Sequence, residues 1–571
     1  MSKLPPSRTL TNPADGASLA AVLTLVLEDD ALSKRRRQDF ASALRTVGKG
    51  LGRPLDALPA HPNLLRDRLQ GFAPSMAGLK RKRWDNAMSL VRQALKHAGF
   101  IQVPSRGRIP FAPQWTALFR LTRDKQARFG LSRFARYCTT RGIDPDQVND
   151  AVFAAFRDDL DIASFCEFPR KTQRRAIVIW TGLAQTILAW PQQSLTIPSY
   201  SRTYRLPWKS FPPTLKADVD AYLEHLAGAD ILDEIAFKPL RPASINTFGN
   251  ELSVYLSALV HRGHDPQRLC RLSDAVALAT VKDGLRFFLA RGEEGETDQP
   301  YRIARRVTTL ARHWVKVDAP HLAALQKLCK QLDPGEDGMT EKNRARLRQF
   351  DDPENVRKLL GLPAQLEREV ERCKVPSQAE ALLVQTALAV EILLMVPLRR
   401  ANLVNLNLER HFTRSRGGTV HLVIPAHEVK NDAAIEAVLP REAVRLLDLY
   451  VERYRPLLAS EPSPWLFPGV GARPKSGRAL GRQISETIKR KCGLLVHPHL
   501  FRHIAAKLYL DAHPGAYGVI RLLHGHKSVN TTTRFYCGAE KAAAIERYDT
   551  HVLTLRHGAP ARRSVPVGAR R

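Results

Sequence analysis

Arg399, Lys430, His499, Arg502, His526 and Tyr536 follow one another through the last third of the chain. Together they hold what breaking a phosphodiester requires: a nucleophile, cations for the non-bridging oxygens, and a proton for the leaving 5′-oxygen. Tyr536 offers the nucleophilic oxygen. A free phenol has a pKa of about 10, so it attacks well where nearby cations favour the phenolate. Arg399 and Arg502 each present a planar, permanently charged fork suited to phosphate oxygens. Lys430 is the lone lysine between Arg399 and Lys475. It sits in Glu428-Val429-Lys430-Asn431-Asp432, which reads as a hairpin turn between the strand-like runs Val420–Ile424 and Ile435–Leu439. An ammonium there can protonate a leaving oxygen as a general acid. His499 and His526 can hydrogen-bond the phosphate or handle the tyrosine proton. Singly, each residue has an ordinary structural reading: a helix-end arginine, a solvated turn lysine, a capping histidine, a packed tyrosine. Six that fit one reaction favour chemistry.

The local motifs extend the pattern. Arg399 closes Met395-Val396-Pro397-Leu398-Arg399-Arg400-Ala401-Asn402-Leu403, read as the end of an apolar helix. His499 and Arg502 form His-x-x-Arg; His526 lies in Leu523-His524-Gly525-His526-Lys527, and Tyr536 ends Asn530-Thr531-Thr532-Thr533-Arg534-Phe535-Tyr536. This order and spacing resemble the catalytic domain of the tyrosine recombinases, the phage-integrase family. The resemblance implies these roles for the six residues, a 3′-phosphotyrosyl intermediate with a free 5′-hydroxyl, and rejoining without ATP. There are three departures. Asn402 stands where that family commonly has an acidic residue. His524-Gly525-His526 replaces the usual Leu-Gly-His, so His524 rivals His526 as the phosphate contact. The gap from His526 to Tyr536 is one residue longer than is commonest. No other tyrosine lies between Tyr517 and Tyr548.

Composition agrees with a nucleic-acid partner. Lys plus Arg number 88 against 56 Asp plus Glu, a net charge of +32, which points to a polyanion. The 44% apolar content suffices for packed cores and argues against global disorder. The seven cysteines, Cys138, Cys166, Cys270, Cys329, Cys373, Cys492 and Cys537, show no Cys-x-x-Cys pair. That suits free thiols in a reducing compartment; no metal site and no cofactor are expected. The start of the chain lacks a signal-peptide core, and the apolar run from Ala381 to Pro397, interrupted by Gln385, Thr386 and Glu391, reads as a buried helix rather than a membrane span.

The expected fold is mostly α: several helical DNA-binding domains, then a mixed α+β catalytic domain with a small antiparallel sheet. The expected divisions are residues 1–105, 110–195, 214–332 and 340–555, with a basic tail at 556–571. Three segments read as versions of one helical unit, each with a Gly or Pro stop and a basic third helix bearing tryptophan. The basic elements are Lys80, Arg81, Lys82 and Arg83 before Trp84; Arg170, Lys171, Arg174 and Arg175 before Trp180; and Arg302, Arg305 and Arg306 before Trp314. The second and third units resemble the core-binding domain that precedes the catalytic domain in integrases, so these cations are candidate phosphate contacts. Breaker-rich linkers fall at Val103–Gly107, Pro191–Pro213 and Asp333–Gly338, the last an expected hinge.

The combined expectation is a site-specific recombinase of a mobile element, an integrase or transposase. It would act on double-stranded DNA as a homotetramer, possible partners including other recombinase subunits, with no membrane association, in a bacterial cytoplasm at the nucleoid. A chromosomal resolvase of the same chemistry, a type IB topoisomerase-like enzyme and a DNA-binding protein without catalysis are the alternatives.

Overall fold

The computed structural model describes residues 17–69, 72–101, 109–198, 204–228, 239–292, 298–335, 338–371, 375–525, 528–536 and 541–557; at 531, 534–536 and 541–547 it describes the backbone alone. His526, Lys527, Cys373, Cys537, the whole 103–107 linker, Glu336 and Asp337 of the expected hinge, and the tail beyond His557 lie outside the described residues. The fold is mostly helical with one three-stranded antiparallel sheet.

Three groups of four or five helices come first. The first contains α1 Leu19–Glu28, α2 Lys34–Leu51, α3 Pro62–Leu69 and α4 Arg81–His97; the second α5 Pro113–Arg120, α6 Lys125–Arg141, α7 Asp150–Ile162 and α8 Pro169–Thr186; the third α9 Pro213–Ala227, α10 Pro242–His261, α11 Leu278–Leu289 and α12 Asp298–Leu310. The repeat seen in the sequence therefore has an additional leading helix, α1, α5 or α9. These helices are apolar enough to fill a core yet carry no basic signature. In the first two groups the long second helix is capped by a left-handed glycine, Gly52 or Gly142, and in the third Gly263, also at positive φ, follows the cap Arg262; a one-turn 3₁₀ helix at Leu55–Ala57, Pro145–Gln147 or Pro266–Arg268 comes next. Glycine stops the helix there because a positive φ costs it no Cβ clash.

Each group has its own apolar core. Aromatics dominate the second: Phe134 stacks on Phe153 at 4.0 Å between centroids, and Trp115 lies 5.8 Å from Trp180. Arg66 joins the first group to the second through Asp161 and the Cys166 carbonyl, both at 2.9 Å. The chain divides into two compact units, one of residues 1–198 with 337–571, the other of residues 199–336.

α13 Ala319–Leu332 packs Leu325 into the third core, and the chain continues through α14 Glu341–Leu347, α15 Pro353–Leu360, α16 Leu362–Glu371, α17 Gln378–Met395 and α18 Arg400–Val404. Strands β1 Phe412–Arg414, β2 Val420–Ile424 and β3 Ile435–Val438 follow in the order β1-β2-β3, with Phe412 opposite Leu422 and Ile424 opposite Ile435. Then come α19 Arg441–Leu449, α20 Gly477–Cys492, α21 Leu500–Ala512, α22 Tyr517–His524, α23 Val529–Tyr536 and α24 Lys541–His557. By length and composition α17 could cross a membrane, but it is the central core helix, buried from Ala381 to Leu393 on nearly every side. Ser377 and Glu380 close its start as a capping box.

Candidate active site

Pro397 decides where Arg399 stands. It cannot extend α17, which ends at Met395. The chain turns through the buried Val396, Pro397 and Leu398, so Arg399 is not the end of the apolar helix, as the sequence suggested, but the extended N-cap residue of α18. It is half-buried, and burial lowers its pKa. One turn on, buried Asn402 donates its amide to the Glu428 carbonyl at 3.2 Å. The residue that departs from the family pattern thus holds the approach to the Lys430 turn.

The sheet presents that turn. Val420, Leu422 and Ile424 bury one face of β2 in the core. Beyond it a 3₁₀ turn at Ala426–Glu428 leads to buried Val429, then exposed Lys430. Asp432 has φ +55°, and its N–H donates to the Val429 carbonyl at 3.1 Å. The Glu428 carboxylate lies 3.0 Å from Arg410 and 3.2 Å from buried His411. The hairpin expected between 420 and 439 is present, with β1 as a third strand. Its short polar run, Phe-Thr-Arg, gave no alternation to read.

His499 is the N-cap of α21, and Arg502 follows within one turn. Arg502 is only 4% exposed. Its guanidinium donates to the Pro397 carbonyl at 2.9 Å and to the His524 carbonyl at 2.8 Å. His499 keeps an exposed edge, yet its pKa is lowered, first by desolvation, then by the charges of Arg502, Arg399, Arg400 and Lys430. Four cations from three separate segments therefore act on the charge of one imidazole. Near neutral pH that ring is neutral and can accept a proton; an arriving phosphate would offset the surrounding positive charge. His497 stacks parallel to it at 6.5 Å and is itself pushed down to about 4, chiefly by burial.

The remaining motif begins where α22 ends. Gly525 caps it at φ +59°. His524 is 2% exposed and supplies the carbonyl for Arg502. Asn431 donates to the Gly525 carbonyl at 2.8 Å. His526 lies outside the described residues. Tyr536 is the last residue of α23, and its side chain is likewise outside the described atoms. The hydrogen bonds close a ring: Pro397 and Asn402 with Arg399 between them, Glu428 and Asn431 with Lys430 between them, then Gly525 and His524, then Arg502 back to Pro397.

The expected phosphate-contact cations lie mainly on exposed surface. Lys80, Arg81, Lys82 and Arg83 open α4; Arg170, Lys171, Arg174 and Arg175 open α8; Arg302 and Arg305 project from α12. Cations in a first helical turn oppose the helix dipole, so α4 and α8 carry them at some cost to themselves. Arg306 differs: it is half-buried, stacked 3.5 Å over Phe248 and paired with Glu251. Lys80 and Arg81 also line a cavity of about 1210 Å³ whose other cations are Lys358, Lys475, Arg482, Arg490 and Lys491. Burial lowers Lys475 to about 8, and its partners include the amide oxygens of Gln385 and Gln483. The Asn431 bond and the Lys475 cluster were missed from sequence, since amide pairs distant in the chain leave no periodic signal. Among the described residues, no three His, Cys, Asp or Glu side chains gather as a metal-ligand set.

Residues 364–542 match the phage integrase family. Among solved structures, XerA recombinase is 15% identical over 59% of this chain and 98% of that chain, with a TM-score of 0.24. XerH site-specific recombinase bound to difH substrate in a pre-cleavage complex is 13% identical over 57% and 92%, with a TM-score of 0.29. A lambda integrase(75-356) dimer bound to a COC' core site is 15% identical over 55% and 96%, with a TM-score of 0.32. No curated protein matches the sequence.

Proposed function

Residues 364–542 belong to the phage integrase family, and from that premise we propose that this tyrosine recombinase is the integrase or transposase of a mobile element, working in the cytoplasm on double-stranded DNA. Tyr536 attacks the scissile phosphorus. Arg399 and Arg502 stabilise the charge on its oxygens, and His526 hydrogen-bonds the same phosphate. His499 takes the tyrosine proton, and Lys430 protonates the leaving 5′-oxygen. The observation carrying this reading is the ring of hydrogen bonds that brings the segments of Arg399, Lys430 and Arg502 together. The three helical groups ahead of the catalytic region favour a mobile element, since housekeeping recombinases usually manage with one. Four protomers would act on two sites. The exposed Tyr548, Leu553 and Leu555 of α24 suit docking on a neighbouring protomer.

The test starts by selecting duplexes from a random pool with the full chain, then nicking the enriched site beside each candidate scissile phosphate. Wild type should accumulate a covalent protein–DNA adduct. Tyr536→Phe should bind equally and form none; an adduct with that variant would move the nucleophile to Tyr517 or Tyr548. Truncation after Ala539 should leave single-site binding but abolish the two-site complex.

A further inference from the structure

We propose that Asn431 is a positioning residue for strand cleavage: its amide ties the Lys430 turn to the Gly525 turn and so fixes the Lys430 ammonium at the leaving oxygen. The inference rests on Lys430 being the general acid.

The turn has firm roots and a weakly held tip. Val429 is buried in the core, and Ile435 packs against it on the return strand. Asn402 holds the near root through the Glu428 carbonyl. Between these points, Lys430 sits on exposed backbone closed by the Asp432–Val429 bond. The Asn431 amide, 2.8 Å from the Gly525 carbonyl, carries the tip to a second segment 94 residues away. Gly525 is itself well placed to serve as the anchor. It caps α22 at φ +59° with its N–H turned back on Arg521 and Leu522, and the preceding carbonyl is gripped by Arg502. A lysine stem has four rotatable bonds, so a small tilt of the turn displaces the ammonium by ångströms. The rival explanation is that the Asn431 amide merely satisfies a carbonyl at a helix end. That role would affect stability, and the rate loss would not depend on the leaving group.

In the cleaving step the Tyr536 oxygen bonds to phosphorus as the P–O5′ bond breaks, and O5′ takes a proton from Lys430. A sulfur at the 5′-bridging position leaves as thiolate and needs no proton. Single-turnover cleavage should therefore be measured on the selected site with oxygen or sulfur at that position. Asn431→Ala, and the isosteric Asn431→Asp that cannot donate, should lose on the order of 10²-fold on the oxygen substrate, the scale of an ångström misplacement. Both should recover most of the wild-type rate on the sulfur substrate. An equal loss on both substrates, or no loss on oxygen, overturns the proposal. Lys430→Ala separates the two levels. If sulfur fails to restore that variant while wild type cleaves, Lys430 is not the acid and the underlying reading fails. If sulfur restores Lys430→Ala but not the Asn431 variants, the positioning role alone fails.

Discussion

Arg399 and Arg502 share a proposed task but not a setting. Arg502 is buried between two backbone carbonyls, whereas Arg399 stands half-exposed at a helix start. Arg399→Ala should cost roughly 10²–10³ in cleavage, as losing a donor to a developing oxyanion does, with the melting temperature nearly unchanged. Arg502→Ala should cost cleavage and stability together, because buried acceptors left unmade cost about 1–3 kcal/mol each. Single-turnover rates beside thermal melts distinguish the two, and an Arg502→Ala protein that melts like wild type would contradict the buried geometry. The cations around His499 make a second prediction. Because they help hold its pKa below the ordinary 6.5, removing one should raise it. Arg400→Ala should thus shift the acid limb of the cleavage pH profile towards higher pH; an unmoved limb would mean another group titrates there. The six residue types and their order were legible in the sequence. The burial of Arg502 was not, since His-x-x-Arg reads the same on an exposed or a buried helix.

At the scale of elements, helix ends set the geometry. Helix α20 ends at Gly493, φ +77°, where an added Cβ would lie 2.7 Å from the Met76 backbone nitrogen. Beside it, Ser75 donates to the Lys489 carbonyl at 2.9 Å. The first helical group therefore rests on the end of α20 through a contact that admits no side chain. Gly493→Ala should loosen it and speed limited proteolysis between residues 69 and 81 by severalfold, with cleavage by the catalytic region less affected; an unchanged digestion rate would argue against the docking. Long amphipathic helices such as α4, α6 and α8 could be read from their apolar spacing, and the Lys430 turn from its flanking strands. The leading helices α1, α5 and α9 lacked a distinguishing signature. Arg399 was assigned to the wrong helix because the break at Pro397 falls inside one continuous apolar run.

For the molecule as a whole, partly desolvated histidines tie stability to pH. His497 has a folded pKa of about 4 against an ordinary 6.5. The unfolded chain takes up this proton first, so stability present above pH 6.5 declines as pH falls through the interval down to about 4. His499 and His411 act in the same direction. Melting temperatures between pH 7 and 4.5 should fall, and His497→Gln should flatten the slope; an equal slope in the variant would exclude His497 as a contributor. What stayed hidden from sequence at this scale is the pairing of distant segments, Asn431 with Gly525 and Arg502 with Pro397, since each participant is locally an ordinary polar residue. That closed ring also bears on how the protein is made. A ribosome releases the chain from its amino end, and the ring needs Pro397, Glu428, Asn431, Arg502 and Gly525 at once, with Tyr536 emerging after all of them. A nascent chain holding the earlier arginine and lysine has neither the ring nor Tyr536. The proposed capacity to cleave DNA thus arises in synthesis only after the helical groups have been made.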